Sequence, residues 1–202
     1  YAHSEDDFAT IQDVLIATRG KLASVKGERA AVSDYLVNLM GIWETIDARY
    51  ESDLSPEVRE VIEAYADGVN YYAALHPEGV IDGFLPVTGE DVAAGFMFKA
   101  PFFYGLDKTL MAVFEGRIGK EEGLSKQGVD AFLPAKDPLP IGSNGVAVSP
   151  ARSADGATRL LVNSHQPFTG PVAWYEAVLE SEEGWHVAGG FFPGSPFMLH
   201  GH

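Results

Sequence analysis

The chain of 202 residues contains no cysteine, which excludes disulfide bonds, thiolate zinc sites and a cysteine nucleophile. It also lacks any run of the roughly 18 apolar residues that a membrane-spanning helix needs. Basic residues are scarce: the chain has 14 Lys and Arg and 29 Asp and Glu, which gives a formal net charge of −15. Nucleic acid and anionic membranes would be repelled by such a surface, so we expect neither as a partner.

Hydrophobic residues make up 46% of the chain, enough for a sizeable core in one or two domains. Apolar spacing predicts a helix over residues 4–26, with Ser4 as the cap and with Gly20 and Gly27 as residues that can bend or end it. A second helical pattern covers residues 29–50, where Gly41 is a candidate break. A third helix is expected to begin at Ser55-Pro56 and stop before His76-Pro77. Thr88 and Asp91 have the spacing of a capping box and predict a fourth helix after them.

From Ser143 onward the pattern changes to short alternating segments bounded by turn residues, which predicts strands. The predicted strands are residues 145–148, 159–163, 174–179 and 185–192. Residues 117–140 are rich in Gly, Lys, Glu and Pro without firm periodicity and are the best candidate for a linker. A helical first part followed by a sheet-rich part predicts an α+β fold.

Gly142-Ser143-Asn144 follows the Pro-rich end of that linker. A serine hydroxyl needs a base to act as a nucleophile, and the adjacent residues offer none. If the Gly142–Ser143 peptide bond is cut, Ser143 gains an α-amino group with an ordinary pKa of about 7.7–8.0. Such a group is a base suited to neutral pH. Gly-Ser-Asn is also a common turn, so the alternative is a non-catalytic binding or structural α+β domain in which it only enters a strand.

The histidines offer no metal centre, because no two of them have a metal-ligand spacing backed by an acid. His200 and His202 form an isolated pair of histidines around Gly201. His3, His76 and His186 are interpreted as structural residues. We therefore expect neither a metal nor a cofactor.

Several stretches together resemble the penicillin acylase and acyl-homoserine-lactone acylase family of N-terminal nucleophile hydrolases. They are YAHSEDDFATIQ at the start, the Ala64–Asn70 segment AYADGVN, IGSNGVAVSP, LLVNSHQPF and Gly201-His202. The resemblance implies a four-layer αββα fold made by a precursor that cuts itself. Residues 1–124 would be a mainly helical α-chain region, 125–142 a spacer, and 143–202 the start of a sheet-rich β-chain region.

Family members are several times longer than this chain, and their oxyanion-hole residues lie further along. The resemblance therefore implies a fragment that begins inside the α chain, stops early in the β chain and is itself inactive. Its partner would be the remaining β-chain portion of the same precursor. A periplasmic or secreted location is also implied.

The resemblance also implies roles for individual residues. Ser143 would be the catalytic nucleophile, and self-cleavage would fall between Gly142 and Ser143. His165 stands where the family has a residue that orients the new amino terminus, and Asn144 would fix the local backbone. The substrate would be a small acyl amide such as an acyl-homoserine lactone or penicillin. The acyl pocket is expected to use Met97, Phe98, Phe102, Phe103, Leu199 and His200.

A related N-terminal nucleophile enzyme, a glutaryl-cephalosporin acylase, is a further alternative. Such an enzyme should place a basic residue near the pocket to bind a carboxylated acyl group. Arg117 and Lys99 are the candidates.

Overall fold

The computed structural model describes residues 1–104, 106–116 and 142–202. Seven α-helices lie in the first part of these residues. They are α1 Ala2–Thr18, α2 Ala23–Lys26, α3 Ala31–Leu39, α4 Ile42–Asp53, α5 Pro56–Leu75, α6 Gly89–Phe103 and α7 Leu106–Phe114. The linker and Arg117 lie outside the described residues, and so does the predicted spacer except for Gly142.

The last part of the chain forms two separate antiparallel sheets. One pairs β1 with β2, and the other has the order β3-β4-β5. The strands are β1 Gly142–Val148, β2 Arg159–His165, β3 Tyr175–Glu180, β4 His186–Phe191 and β5 Met198–Gly201. The protein is thus a mixture of helix and sheet compatible with the predicted α+β class, and the four-layer arrangement stays a prediction.

Two helices begin where the sequence predicts, because their caps are made by neighbouring residues. The Ser55 hydroxyl accepts a hydrogen bond from the Val58 amide, and Pro56 follows as the first residue of α5. Thr88 and Asp91 form the reciprocal capping box that starts α6. The buried positions of α5 recur at helical spacing and face the core. They are Ile62, Ala66, Val69 and Ala73.

The first two predicted helices have wrong boundaries. Helix α1 begins at Ala2, so Ser4 is not its cap but a buried residue inside it. It ends at Thr18, before Gly20 at φ 65°. The second predicted helix is divided into α3 and α4 by Gly41, which has φ 59°. Glycine adopts this left-handed conformation without steric cost, and a residue in it interrupts the right-handed helix.

The sheets differ from the prediction at their ends. Strand β1 begins at Gly142 rather than at Gly145, and β2 extends to His165. Gly, Ser and Asn disfavour strands locally, so cross-strand pairing decides these ends. Strand β5 was not predicted, because its four residues lack a usable alternation. It packs closely on β4, where a Cβ at Gly189 would overlap the His200 carbonyl.

One hydrophobic core joins the helices to the second sheet. It centres on α1 and on helices α3 to α6, and includes Val172 and Phe192 from the strand region. At the surface, the Tyr175 hydroxyl donates to Asp6 at 2.8 Å, and the Tyr175 ring stacks on His3 with centroids 3.9 Å apart. The sheet β3-β4-β5 is therefore anchored to the start of α1.

Arg19 ties the end of α1 to the start of α6. Its guanidinium binds both carboxylate oxygens of Asp91, at 2.7 and 2.6 Å. It also donates to the carbonyls of Gly83, Phe84 and Pro86. Asp91 is 2% exposed, so this ion pair fixes the segment that leads into α6.

None of the helices within the described ranges is long and apolar enough to span a membrane.

Candidate active site

The predicted nucleophile lies in the ribbon of β1 and β2. Their register places Gly142 opposite His165, Ser143 opposite Ser164 and Asn144 opposite Asn163. Directly opposed residues of an antiparallel pair share a face, and successive residues of a strand alternate between faces. Ser143 and Ser164 therefore share one face of the ribbon. Gly142, Asn144, Asn163 and His165 share the other.

Ser143 is exposed to solvent, and its hydroxyl donates to the Gly142 carbonyl oxygen at 2.7 Å. The hydroxyl thus lies on the carbonyl side of the peptide bond that is predicted to be cut. The Ser143 nitrogen belongs to that bond, and its delocalised lone pair cannot act as a base.

His165 is held by two asparagines on its own face. Its Nε2 is 3.2 Å from Nδ2 of Asn144 and 3.2 Å from Nδ2 of Asn163. An amide NH₂ only donates, so Nε2 is the acceptor in these contacts when the imidazole carries a single ring hydrogen on Nδ1. Nδ1 faces Gly142, where it would be 3.4 Å from an added Cβ. The Nδ1 atom of His165 therefore lies on the side of the residue before Ser143.

The structure brings Gly142, Ser143, Asn144 and His165 together at one end of the ribbon, with His165 on the face opposite to the Ser143 side chain. Asn144 contacts the imidazole directly, a contact that the sequence did not indicate. Asn163 was also missed, although its i, i+2 relation to His165 in a predicted strand could have placed both on one face.

Ser164 and Trp174 are two further residues that sequence reasoning missed. The Trp174 indole Nε1 donates to the Ser164 hydroxyl at 2.8 Å. The Trp174 ring stacks on Phe192 with centroids 4.6 Å apart and an interplanar angle of 12°. These contacts join the face of the ribbon that carries Ser143 to the second sheet. The sequence carried no local signal for them, since they depend on how the two sheets meet.

The residues expected to form the acyl pocket lie in three places. Met97 lines a cavity of about 300 Å³ between α4, α5 and α6, together with Phe197. Phe98 and Phe102 are 2% and 3% exposed and belong to the hydrophobic core.

The remaining three pocket candidates lie at the second sheet. The ring centroids of Phe103 and Phe192 are 5.8 Å apart, and those of His200 and Trp174 are 5.7 Å apart. Leu199 is 48% exposed. Phe103 and His200 thus adjoin the aromatic stack next to Ser164.

Two buried bases in the helical part have lowered pKa values. Burial lowers the pKa of Lys99 to about 7, and its ammonium has no hydrogen-bond partner among the residues that the structure describes. Burial is also the main cause that lowers the pKa of His3 to about 4, and its Nδ1 is 3.0 Å from the Tyr65 hydroxyl. Both groups belong to the packing of α1 against α5 and α6.

Across residues 1–104, 106–116 and 142–202, no three His, Cys, Asp or Glu side chains are placed to share a metal ion.

The family model for penicillin amidase matches residues 1–202, so the chain belongs to the penicillin amidase family. Two curated relatives of this chain are named acyl-homoserine lactone acylases. The acyl-homoserine lactone acylase PvdQ of Pseudomonas fluorescens strain Pf0-1 is 24% identical over 98% of this chain. The acyl-homoserine lactone acylase QuiP of strain Pf-5 of the same species is 22% identical over 100% of it. The chain spans 28% and 29% of the lengths of these relatives.

Proposed function

We propose that this chain supplies the nucleophile of an amide hydrolase that removes the acyl group from a small amide. The observation that carries the proposal is the Ser143 hydroxyl lying 2.7 Å from the Gly142 carbonyl oxygen in an exposed strand. Membership of the penicillin amidase family supports this interpretation. The names of the two relatives favour an acyl-homoserine lactone as substrate, with penicillin as the alternative.

The first step would be self-cleavage between Gly142 and Ser143. The Ser143 oxygen attacks the Gly142 carbonyl carbon, and the bond from that carbon to the Ser143 nitrogen breaks. The hydroxyl proton passes to the departing nitrogen, so an ester and a free α-amino group form together. Water then hydrolyses the ester and releases the Gly142 carboxylate. The position of His165 Nδ1 on the Gly142 side supports a role for this residue in orienting the reacting segment.

The cut would convert the same residue into a catalytic site with its own base. The freed amino group takes the hydroxyl proton as the Ser143 oxygen attacks the substrate carbonyl. The amide bond breaks, the leaving amine takes a proton, and water hydrolyses the acyl-enzyme. Departure of Gly142 clears the position facing His165, so the imidazole, held by Asn144 and Asn163, would lie beside the new terminus.

The proposed division of the chain follows from this chemistry. Residues 1–124 would form the α-chain region, 125–142 a spacer removed on maturation, and 143–202 the start of the β-chain region. The remaining β-chain portion of the precursor is the proposed partner. The proposed location is periplasmic or secreted.

Ser143→Ala in the full-length protein tests the proposal. We expect this variant to remain one chain and to show no amide hydrolysis, because one oxygen serves as nucleophile in both steps. Ser149→Ala is the matched control, since Ser149 is an exposed serine just beyond β1. Mass spectrometry measures cleavage, and a panel of acyl-homoserine lactones and phenylacetyl amides measures hydrolysis. Cleavage of Ser143→Ala into two chains would overturn the assignment of Ser143, whereas a wild-type protein that stays uncleaved would favour the non-catalytic binding or structural domain.

A further inference from the structure

The hydrogen bond from Trp174 to Ser164 lies directly beside the proposed nucleophile. We infer that Ser164 is a positioning residue, whose hydroxyl, oriented by Trp174, donates a hydrogen bond to the amino group that cleavage frees at Ser143. The inference rests on the proposed function and adds to it the groups that set the state of the nucleophile.

The pairing register brings Ser164 to Ser143. The two residues are direct partners across β1 and β2, so their side chains project from the same face. The Cβ atoms of such partners are about 4.5–5.5 Å apart, and the Ser143 nitrogen is two bonds from its own Cβ, so a freed amino group there is within hydrogen-bond reach of the Ser164 hydroxyl. His165 lies on the other face of the ribbon, so it does not occupy this position.

The contact with Trp174 determines the hydrogen-bonding role of the Ser164 hydroxyl. An indole nitrogen can only donate, so in their 2.8 Å contact the Ser164 oxygen must be the acceptor. The hydroxyl hydrogen of Ser164 is then left to be donated in another direction. A serine held as an acceptor on one side is thereby prepared to act as a donor toward Ser143.

The position of the indole is fixed by packing. It stacks on Phe192 at 4.6 Å, and it lies so close to Gly190 that an added Cβ there would be 2.7 Å from the ring. The absence of a side chain at Gly190 therefore makes room for the ring. A donor held in this way directs the Ser164 hydroxyl without costing further side-chain entropy.

The proposed hydrogen bond affects the protonation of the Ser143 amino group, which is the base of the proposed reaction. A hydrogen bond donated to the free amino group of Ser143 uses the nitrogen lone pair, which exists only in the neutral form. Ser164 should therefore keep the amine neutral, and competent as a base, at lower pH. A hydrogen bond of ordinary strength corresponds to a displacement of about 0.5–1 pH unit.

The test is the pH dependence of kcat in the matured full-length protein. In Ser164→Ala the acidic limb of the kcat profile should move to higher pH by about 0.5–1 pH unit. Trp174→Phe keeps the stacked ring but removes the N–H, and should move the limb in the same direction. Ser164→Thr retains a hydroxyl and should keep the wild-type limb. Trp185→Phe is the matched control, because Trp185 is 66% exposed and should change nothing.

The double variant separates positioning from general packing. If Trp174 acts through Ser164, then Ser164→Ala with Trp174→Phe should shift the limb no further than Ser164→Ala alone. Additive shifts would overturn the assigned relation between the two residues.

A wild-type limb in both single variants would overturn the inference and leave the proposed function intact, provided that Ser143→Ala stays uncleaved. Cleavage of Ser143→Ala would instead remove the proposed function itself. If Ser164→Ala does not fold, Trp174→Phe decides the question alone.

Discussion

Replacing Lys99 with methionine should stabilise the protein, and it should do so more at pH 7 than at pH 9. The Lys99 side chain is 2% exposed, and its ammonium lacks a hydrogen-bond partner within the described part of the chain. Burial lowers its pKa from 10.5 to about 7. Methionine has a similar length and places no charge in the core.

The magnitude follows from the two pKa values. Between pH 7 and pH 10.5 the unfolded chain binds a proton at Lys99 that the folded chain does not, so burial of this lysine costs less as the pH rises. At about 1.4 kcal/mol per pH unit the cost is about 4 kcal/mol at pH 7 and about 2 kcal/mol at pH 9. Lys99→Met should therefore gain about 2 kcal/mol more free energy of unfolding at pH 7 than at pH 9.

Urea unfolding followed by circular dichroism would measure both values. The Ser143→Ala background is intended to keep the protein as one chain, and the exposed Lys21→Met is the matched control, with no pH-dependent gain expected. An equal gain at both pH values, or a loss at both, would refute the reasoning. Such a result would mean that the charged ammonium is stabilised in the folded protein.

Two further predictions concern the helical part. Arg19→Lys should lower the free energy of unfolding by about 3 kcal/mol, because lysine cannot reproduce the paired contact with the buried carboxylate of Asp91. A loss below about 1 kcal/mol in urea unfolding would contradict this prediction. Asn70→Ala should cost about 2–4 kcal/mol, because Asn70 binds both the N–H and the carbonyl of Val87, at 2.8 and 2.7 Å. Asn38→Ala is its control, since Asn38 makes one exposed bond to the Asp34 carbonyl, and equal losses in thermal unfolding would show that the Val87 contacts add nothing.

The parts of the fold that the sequence predicted well are those fixed by neighbouring residues. The cap of α5 needs only Ser55 and the Val58 amide, and the capping box of α6 needs only Thr88 and Asp91. The extent of α1 and the start of β1 depend instead on residues far away in the chain. Ser4 illustrates this, because a serine before three acids suits a helix cap, yet tertiary packing buries it within the helix.

The AYADGVN segment shows how a recognisable motif acquires a physical explanation only in the structure. Ala66 and Val69 face the core, and Asn70 bridges the backbone of Val87. Gly68 permits close approach, since an added Cβ would lie 2.8 Å from the Tyr1 nitrogen. The motif therefore holds α5 against both the start of α1 and the segment before α6.

The candidate site was predictable to a similar degree. Resemblance indicated Ser143 and His165 by order along the chain, but order does not tell which face of a strand a side chain occupies. That depends on the pairing of Gly142 with His165, which no local pattern specifies. Asn163, Ser164 and Trp174 entered the site only through this pairing and the contact between the two sheets.

The register of β1 and β2 decides which side chains share a face with Ser143, so the loop between the two strands affects the proposed chemistry. Residues 149–158 link the two strands. If an insertion or deletion there moved β2 by one position, the residue opposite Ser143 would become His165 or Asn163 instead of Ser164. The imidazole and the hydroxyl would then exchange sides without any change in the site residues themselves. A change in the length of this loop would therefore alter the surroundings of the proposed nucleophile without any substitution close to it.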